Sequence, residues 1–272
     1  MPELPEVETI RSDLSRSTLG RAFVGVSLNW PQMVLSPSPQ AFIQGLVGRE
    51  VKEVDRRGKY LIVRLDSGLS VILHFKMSGS LLFAREGETD PYCRALFDLD
   101  DGTRLCFRDP RKLGKMWLVD DERTVVGRLG PEPLAPHFTE EVLARCLQPH
   151  HAPVKALLCD QTVLAGVGNM YADEALFAAG IHPLTRGDAL SGSEVSRLHG
   201  ALRTVLGQAV KGHGASITDY WRPNGARGTA QFEFKVAHRG GQPCPVCGTP
   251  IERVAIRNRG SYFCPGCQRG LC

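Results

Sequence analysis

Four cysteines near the C-terminal end constrain this sequence more than any other feature. Cys244-Pro245-Val246-Cys247 and Cys264-Pro265-Gly266-Cys267 form a C-x2-C-x16-C-x2-C pattern. Each C-x-x-C pair can place two thiolates on one ion, and Gly248 and Gly266 permit the tight knuckles that aim them. Four sulfurs without a carboxylate favour one closed, tetrahedral Zn2+ that is structural and not catalytic. A module of roughly 30 residues is too small to fold on apolar burial alone, so the metal is expected to supply its stability.

The other five cysteines, Cys93, Cys106, Cys146, Cys159 and Cys272, are scattered and match no further site. An odd total of nine argues against a disulfide framework and for a reducing, cytoplasmic setting. The opening MPELPEVETI carries acids where a signal peptide would carry Lys or Arg. No apolar run reaches the roughly 18–20 residues of a membrane-spanning helix.

The chain of 272 residues holds two ordinary domains, or one large domain and an appendage. Leu4, Val7, Ile10 and Leu14 recur at helical steps, with Leu19-Gly20 as a stop. Strand signals then dominate to about residue 130. Residues 22–30 alternate, 59–65 and 69–75 read as a hairpin, 95–100 and 103–108 as another, and 115–119 as a further strand. After a Pro-rich boundary at 130–137 the pattern turns helical. Thr139 can cap 140–147, segments 154–158 and 169–179 flank a Gly166-Val167-Gly168 turn, and Ser193 can cap a longer helix striped by Val195, Leu198, Leu202, Val205 and Ala209. The stretch 212–231 is Gly-rich with few apolar anchors and reads as a mobile loop. The expected class is α+β multidomain: an N-terminal antiparallel β-sandwich with an N-terminal helix (1–131), a linker (132–150), a helical region carrying a two-turn connection and the loop (151–235), and a β-hairpin zinc finger (236–272).

The net charge is +4, which is modest, but it is unevenly spread. From 235 onward Lys235, Arg239, Arg253, Arg257, Arg259 and Arg269 stand against the single acid Glu252. Arg257-Asn258-Arg259-Gly260 lies between the cysteine pairs, at the expected hairpin tip. Basic residues on a metal-rigidified hairpin point to phosphate binding rather than to an ordinary solvated face.

Pro2 is a second candidate for chemistry. Removal of the initiator Met would expose a secondary amine with a pKa of roughly 8, against roughly 10.4 for Lys. At a helix start the dipole further disfavours its charged form. Such an amine can attack C1′ of a sugar and form an iminium, with Glu3 and Glu6 in reach as acid/base partners. On residues alone the plainer account is that Pro and Glu are ordinary first-turn residues.

MPELPEVETIR together with the cysteine pattern resembles the bacterial formamidopyrimidine-DNA glycosylase family. The resemblance extends through RRGKYL (56–61), LHFKMSG (73–79), DPRKLGK (109–115), residues 155–183 and RGSYFCPGCQ (259–268). The related endonuclease VIII branch typically has Gly where Leu4 stands, so the purine branch is favoured. The resemblance implies a monomeric, bifunctional glycosylase and abasic-site lyase that removes 8-oxoguanine and formamidopyrimidines from damaged double-stranded DNA, with one structural Zn2+ and no organic cofactor. It implies Pro2 as nucleophile, Glu3 as acid/base residue, Glu6 as supporting carboxylate and Lys59 as a lysine beside the lesion's phosphates. His74, Lys155, Asn169 and Arg259 match residues tied to DNA binding, Lys155 in connection with oxidised guanine. Met77, Arg111 and Leu113 match a wedge that fills the gap left by the flipped nucleotide, and Leu113 departs from the family's usual Phe. Ser216, Ile217, Thr218, Asp219 and Tyr220, onward to Thr229, correspond to a loop over the flipped base. Outside the family context, His74 reads as a structural histidine, Asn169 as a helix N-cap, Lys155 as a solvated lysine and Met77 as a core residue. Two rival functions remain at this stage: an oxidised-pyrimidine glycosylase, and a lesion binder without chemistry.

Overall fold

The computed structural model describes residues 1–85, 87 and 90–269. Cys272, grouped above with the scattered cysteines, lies outside the described residues. The chain divides into two compact units, Met1–Arg128 with Val210–Gln231, and Leu129–Ala209 with Phe232–Cys272.

The first unit opens with α1 (Leu4–Thr18). Its stripe of Leu4, Val7, Ile10 and Leu14 is at most 2% exposed, as the helical spacing predicts. The chain continues through β1 (Phe23–Leu28), β2 (Val34–Ser36), α2 (Pro39–Leu46), β3 (Val51–Arg57), β4 (Tyr60–Leu65), β5 (Ser70–His74), β6 (Ser80–Ala84), β7 (Cys93–Leu99), β8 (Arg104–Arg108), β9 (Lys115–Val119) and α3 (Arg123–Val126). They form two sheets, ordered β1-β7-β8-β6 and β2-β9-β5-β4-β3. Every pairing is antiparallel except β2 with β9. Leu61 and Leu73 of one sheet, Phe97 and Phe107 of the other, and Val7 and Leu14 of α1 share one core. The hairpins expected at 59–75 and 95–108 are β4–β5 and β7–β8. Strand β3 left no alternating signal because a register shift after Val51 turns both Val51 and Val54 inward, three residues apart.

The stretch 212–231 departs from the expectation of a mobile loop with few apolar anchors. It packs in the first unit, where Tyr220 is 5% exposed and joins the sandwich core. Arg222 forks onto Asp13 of α1 at 2.9 and 3.0 Å, and the Phe83 N–H of edge strand β6 donates to the Pro223 carbonyl at 2.8 Å. The Ser216 hydroxyl accepts from the Gly228 N–H at 2.9 Å. The short tip Ile217, Thr218 and Asp219 stands exposed between buried Ser216 and Tyr220. Composition hid these ties, because they join residues that lie far apart in the chain.

The second unit contains α4 (Glu140–Leu147), α5 (Val154–Leu158), α6 (Asn169–Ala179), α7 (Gly192–Lys211) and the hairpin of β10 (Glu252–Ile256) and β11 (Arg259–Phe263). The Thr139 side chain caps α4 as expected, accepting from Val142 N–H at 3.4 Å. Helix α7 is capped by Ser191 and not by Ser193: the Ser191 hydroxyl accepts from Glu194 N–H, and the Glu194 carboxylate accepts from Ser191 N–H. This is the S-x-x-E capping box. Leu206 replaces Val205 in the buried stripe of α7. The connection between α5 and α6 is pinned by Gln161, whose amide donates to the Cys159 and Val167 carbonyls and accepts from Gly166 N–H. Among the described residues no helix is long and apolar enough to cross a membrane.

A Cβ added at Gly207 of α7 would meet nothing within 4 Å. Gly207→Ala is therefore expected to stabilise the protein by about 0.5–1 kcal/mol through helix propensity. Leu202→Ala, at a position 0% exposed in the same helix, is expected to cost about 2–5 kcal/mol. Denaturant unfolding of the two variants checks both signs.

Candidate active site

The candidate groups fall into one set on each unit. In the first unit, Pro2 and Glu3 are buried immediately ahead of α1. Glu3 is the N-cap, in a reciprocal capping box with Glu6, whose Oε2 accepts from the Glu3 N–H at 2.7 Å. The other oxygen of Glu6 accepts from the Ala215 N–H at 2.7 Å. Glu6 thus binds backbone on both sides, which gives it a positioning role at the chain start. Gly214 lies against it: an added Cβ would stand 2.8 Å from Glu6 Oε1. The Tyr220 hydroxyl, 3.2 Å from the His213 carbonyl, closes the same corner, and burial beside Glu6 raises its pKa far above the ordinary tyrosine value.

Lys59 is 3% exposed at the turn between β3 and β4. Arg56 shapes this turn, because its guanidinium reaches Glu8 of α1 and the Gly58 carbonyl, both at 3.0 Å. The helix start and the lysine turn are therefore tied through one side chain. His74 is 7% exposed, packed edge-on to Tyr60 with ring centroids 4.6 Å apart. Its Nδ1 accepts from Lys76 N–H at 3.0 Å. Burial, and then the ammonium groups of Lys76 and Lys59, push its pKa down to about 3. His74 is neutral at physiological pH, so it can offer a phosphate an N–H donor and no charge.

Met77 and Leu113 are 46% and 36% exposed, and Arg111 is exposed beside Leu113. They sit on two short loops, after β5 and between β8 and β9. Each loop contains a left-handed lysine, Lys76 at φ 51° and Lys112 at φ 57°. Such backbone is uncommon for a side-chain-bearing residue and persists only when the surroundings fix it. Met77 is thus presented to solvent and is not a core residue.

In the second unit Asn169 is the first residue of α6, while Gly168 takes the N-cap position. Its Nδ2 donates to the Gly260 carbonyl of the hairpin at 2.8 Å. Lys155, expected among the DNA contacts, is 1% exposed. Its ammonium pairs with Asp173 at 2.5 Å and lies 3.4 Å from the same Gly260 carbonyl. Its ammonium faces Asp173 and the Gly260 carbonyl within the unit and is not presented as a surface cation. Burial raises the Asp173 carboxyl to about 7 against the pull of Lys155. Glu174, next along α6, accepts from the Lys235, Val236 and Ala237 N–H groups at 2.8–3.0 Å. Sequence reasoning missed Asp173 and Glu174. Their signal was a pair of acids inside the otherwise apolar run 171–179. Arg259 is exposed at the start of β11, beside the turn where Arg257 and Asn258 are both left-handed, at φ 45° and 63°.

The four cysteine sulfurs of the hairpin module all lie within 4.8 Å of one another. Sγ–Sγ distances are 3.8 Å for Cys244–Cys267, 3.4 Å for Cys247–Cys264 and 3.5 Å for Cys247–Cys267. Zinc–sulfur bonds of about 2.3 Å give a tetrahedron with edges of about 3.8 Å, whereas a disulfide needs about 2 Å. The donor set and spacing fit one structural Zn2+ held by Cys244, Cys247, Cys264 and Cys267. The protein core of the module is correspondingly small: Val236, Cys244, Ile251 and Cys264, with Phe177 of α6 against them.

Residues 1–116 match the family model of the formamidopyrimidine-DNA glycosylase N-terminal domain, and residues 129–220 match that of the formamidopyrimidine-DNA glycosylase H2TH domain. Residues 241–270 match the zinc finger found in FPG and IleRS. These three parts in this order define the class: a glycosylase-type sheet domain followed by a helix-two-turn-helix domain and a four-cysteine finger. Formamidopyrimidine-DNA glycosylase of Chloroflexus aggregans is 46% identical over 272 residues, covering 98% of each chain. The crystal structure of the MutM (Fpg) protein from Thermus thermophilus superposes with a TM-score of 0.91 at 40% identity, covering 100% of both chains. A complex between the Lactococcus lactis Fpg and DNA containing an abasic site gives 0.92 at 31% identity, covering 98% of this chain and 100% of that one. The chain belongs to the formamidopyrimidine-DNA glycosylase family.

Two outcomes follow from this geometry. The folded pKa of His74, about 3, lies below its unfolded value of 6.5. Its contribution to stability is complete above pH 6.5 and is lost as the pH falls toward 3, because the unfolded chain takes up the proton first. His74→Asn, which keeps an acceptor for Lys76 N–H, is expected to flatten the decline in unfolding free energy between pH 6.5 and 4 by up to about 3 kcal/mol. Zinc chelation is expected to remove hydrogen-exchange protection from β10 and β11 while the two-sheet core stays protected.

Proposed function

We propose that the chain is a bifunctional DNA glycosylase and abasic-site lyase that excises oxidised purines, 8-oxoguanine and formamidopyrimidines, from duplex DNA. The observation that carries this reading is the burial of Pro2 directly before a helix whose first turn is fixed by Glu3 and Glu6. Hydrolysis of the Met1–Pro2 bond frees the Pro2 amine, which in its neutral form attacks C1′ of the flipped nucleotide; the N–C1′ bond forms, and the damaged base leaves with a proton. The sugar ring opens to an iminium. Loss of a C2′ proton then expels the 3′ phosphate, and a further elimination expels the 5′ phosphate. Glu3 serves as the proton carrier in this scheme, Glu6 holds the helix start and Lys59 stands by the phosphates of the reacting nucleotide. His74 offers a neutral donor to the backbone.

On the second unit, Arg259 contacts phosphate, and Asn169 and Lys155 hold its neighbour Gly260 on β11. Phosphate contacts hold register without reading sequence, as suits an enzyme whose target can lie anywhere. Met77, Arg111 and Leu113 fill the gap left by the flipped nucleotide. The exposed tip Ile217–Asp219, between anchored Ser216 and Tyr220, faces the extruded base. The partner is damaged double-stranded DNA, the protein acts as a monomer, and its setting is the cytoplasm.

Borohydride reduction with lesion-bearing duplex is expected to trap a covalent adduct through Pro2. Pro2→Gly, which leaves a primary amine in place, is expected to lower trapping by about tenfold or more while DNA affinity is retained. Equal loss of trapping and affinity would remove Pro2 from the nucleophile's role, and excision of thymine glycol in preference to 8-oxoguanine would replace the purine assignment.

A further inference from the structure

Asp109, just past the end of β8, is 1% exposed and fully engaged. Its Oδ1 accepts from the Ser78 hydroxyl at 2.5 Å and the Arg111 N–H at 3.2 Å. Its Oδ2 accepts from the Leu113 and Gly114 N–H groups, both at 2.7 Å. The Asp109 N–H donates to the Tyr92 carbonyl at 2.9 Å, and its carbonyl accepts from Arg94 Nε at 2.8 Å. Ser78 adjoins Met77. One carboxylate therefore reaches the immediate neighbours, or the own amides, of all three exposed residues Met77, Arg111 and Leu113.

Both loops also rest on one aromatic floor. Phe75 stacks on Phe107 with centroids 5.5 Å apart. A Cβ at Gly79 would come 2.5 Å from the Phe75 carbonyl oxygen, and one at Gly114 would come 2.7 Å from the Phe107 ring. The left-handed lysines of the two loops, Lys76 and Lys112, have no glycine's freedom, so their backbone is held by its surroundings. A buried carboxylate is tolerated because N–H and O–H donors compensate it, and the same bonds fix the donors.

We propose that Asp109 is the positioning residue of the wedge: its carboxylate binds the Met77 loop and the Arg111–Leu113 loop into one preformed insert. This rests on the wedge reading of Met77, Arg111 and Leu113 given above. A preformed insert enters an opened base stack without first having to order two separate loops, so the ordering entropy is spent on folding and not on DNA opening.

Asp109→Asn tests the proposal, because it sets an amide NH2 against either the Leu113 and Gly114 donors or the Ser78 and Arg111 donors. Excision from a lesion-bearing duplex is expected to fall by about tenfold or more. Cleavage of a single-stranded oligonucleotide with an abasic site, which requires no base pair to open, is expected to stay within about twofold of wild type. A 2-aminopurine placed beside the lesion is expected to show a smaller rise in fluorescence on binding. Met77→Ala and Leu113→Ala are measured alongside. If these lower duplex excision and Asp109→Asn does not, the positioning role is overturned and the wedge reading stands. If Met77→Ala and Leu113→Ala leave duplex excision and fluorescence unchanged, the wedge reading fails and the proposal falls with it. Equal loss of single-strand and duplex activity in Asp109→Asn also overturns it, because that is what general unfolding would give. Should Asp109→Asn not fold by thermal denaturation, Ser78→Ala removes only the tie to the Met77 loop. A smaller, duplex-only loss is then expected, and wild-type duplex excision overturns the proposal.

Discussion

The Glu6 carboxylate holds the first residues of the chain in place. Chain ends are ordinarily poorly ordered. Here one carboxylate accepts the Glu3 N–H with one oxygen and the Ala215 N–H with the other, each at 2.7 Å. The first bond completes the helix cap and the second brings in the 212–231 stretch, with Gly214 packed where no side chain would fit. Burying that carboxylate at 1% exposure is tolerable only because backbone donors replace its water. One group thus ties together the chain start ahead of α1 and the segment leading to Tyr220.

The same device recurs. Asp109 gathers the two exposed loops of the sandwich, and Glu174 gathers the backbone from Lys235 to Ala237 ahead of the finger. In each case a buried acid accepts several amide N–H groups from a segment with no regular structure of its own. Hydrogen bonds to an ionised acceptor are stronger than neutral ones. They are therefore suited to fixing loops that bury little apolar surface. Lys155 with Asp173 makes the complementary arrangement, a buried pair whose ammonium reaches the Gly260 carbonyl of β11. The metal-bound module extends the principle, since four thiolates on one ion replace a core reduced to a few side chains.

Much of the fold was legible because local pattern and tertiary burial agree in it. The α1 stripe, the β4–β5 and β7–β8 hairpins, Thr139 as a cap and the cysteine spacing all carry their reason within a few residues. The exposure of Met77 was not legible from its local pattern, since a Met at a strand end looks like core. What the sequence hid was set by partners far away. Asp13 and Arg222, 209 positions apart, pair because the loop folds back on α1. Val51 and Val54 face inward together because a bulge breaks their alternation. Lys155 looked like a solvated helix residue, but its position on α5 places its ammonium beneath the hairpin.

Residue types and short spacings by themselves determined the zinc ligands, the helix that begins at Leu4 and the alternating strands. Each of these follows from chemistry that acts over one or two turns of chain. Only the tertiary structure decided which charges are exposed and which are spent internally. It left Arg259 at the surface, enclosed Lys155, neutralised His74 and gave Asp109 its four donors. Burial and long-range hydrogen bonding depend on what the rest of the chain brings alongside, and a linear pattern does not carry that information.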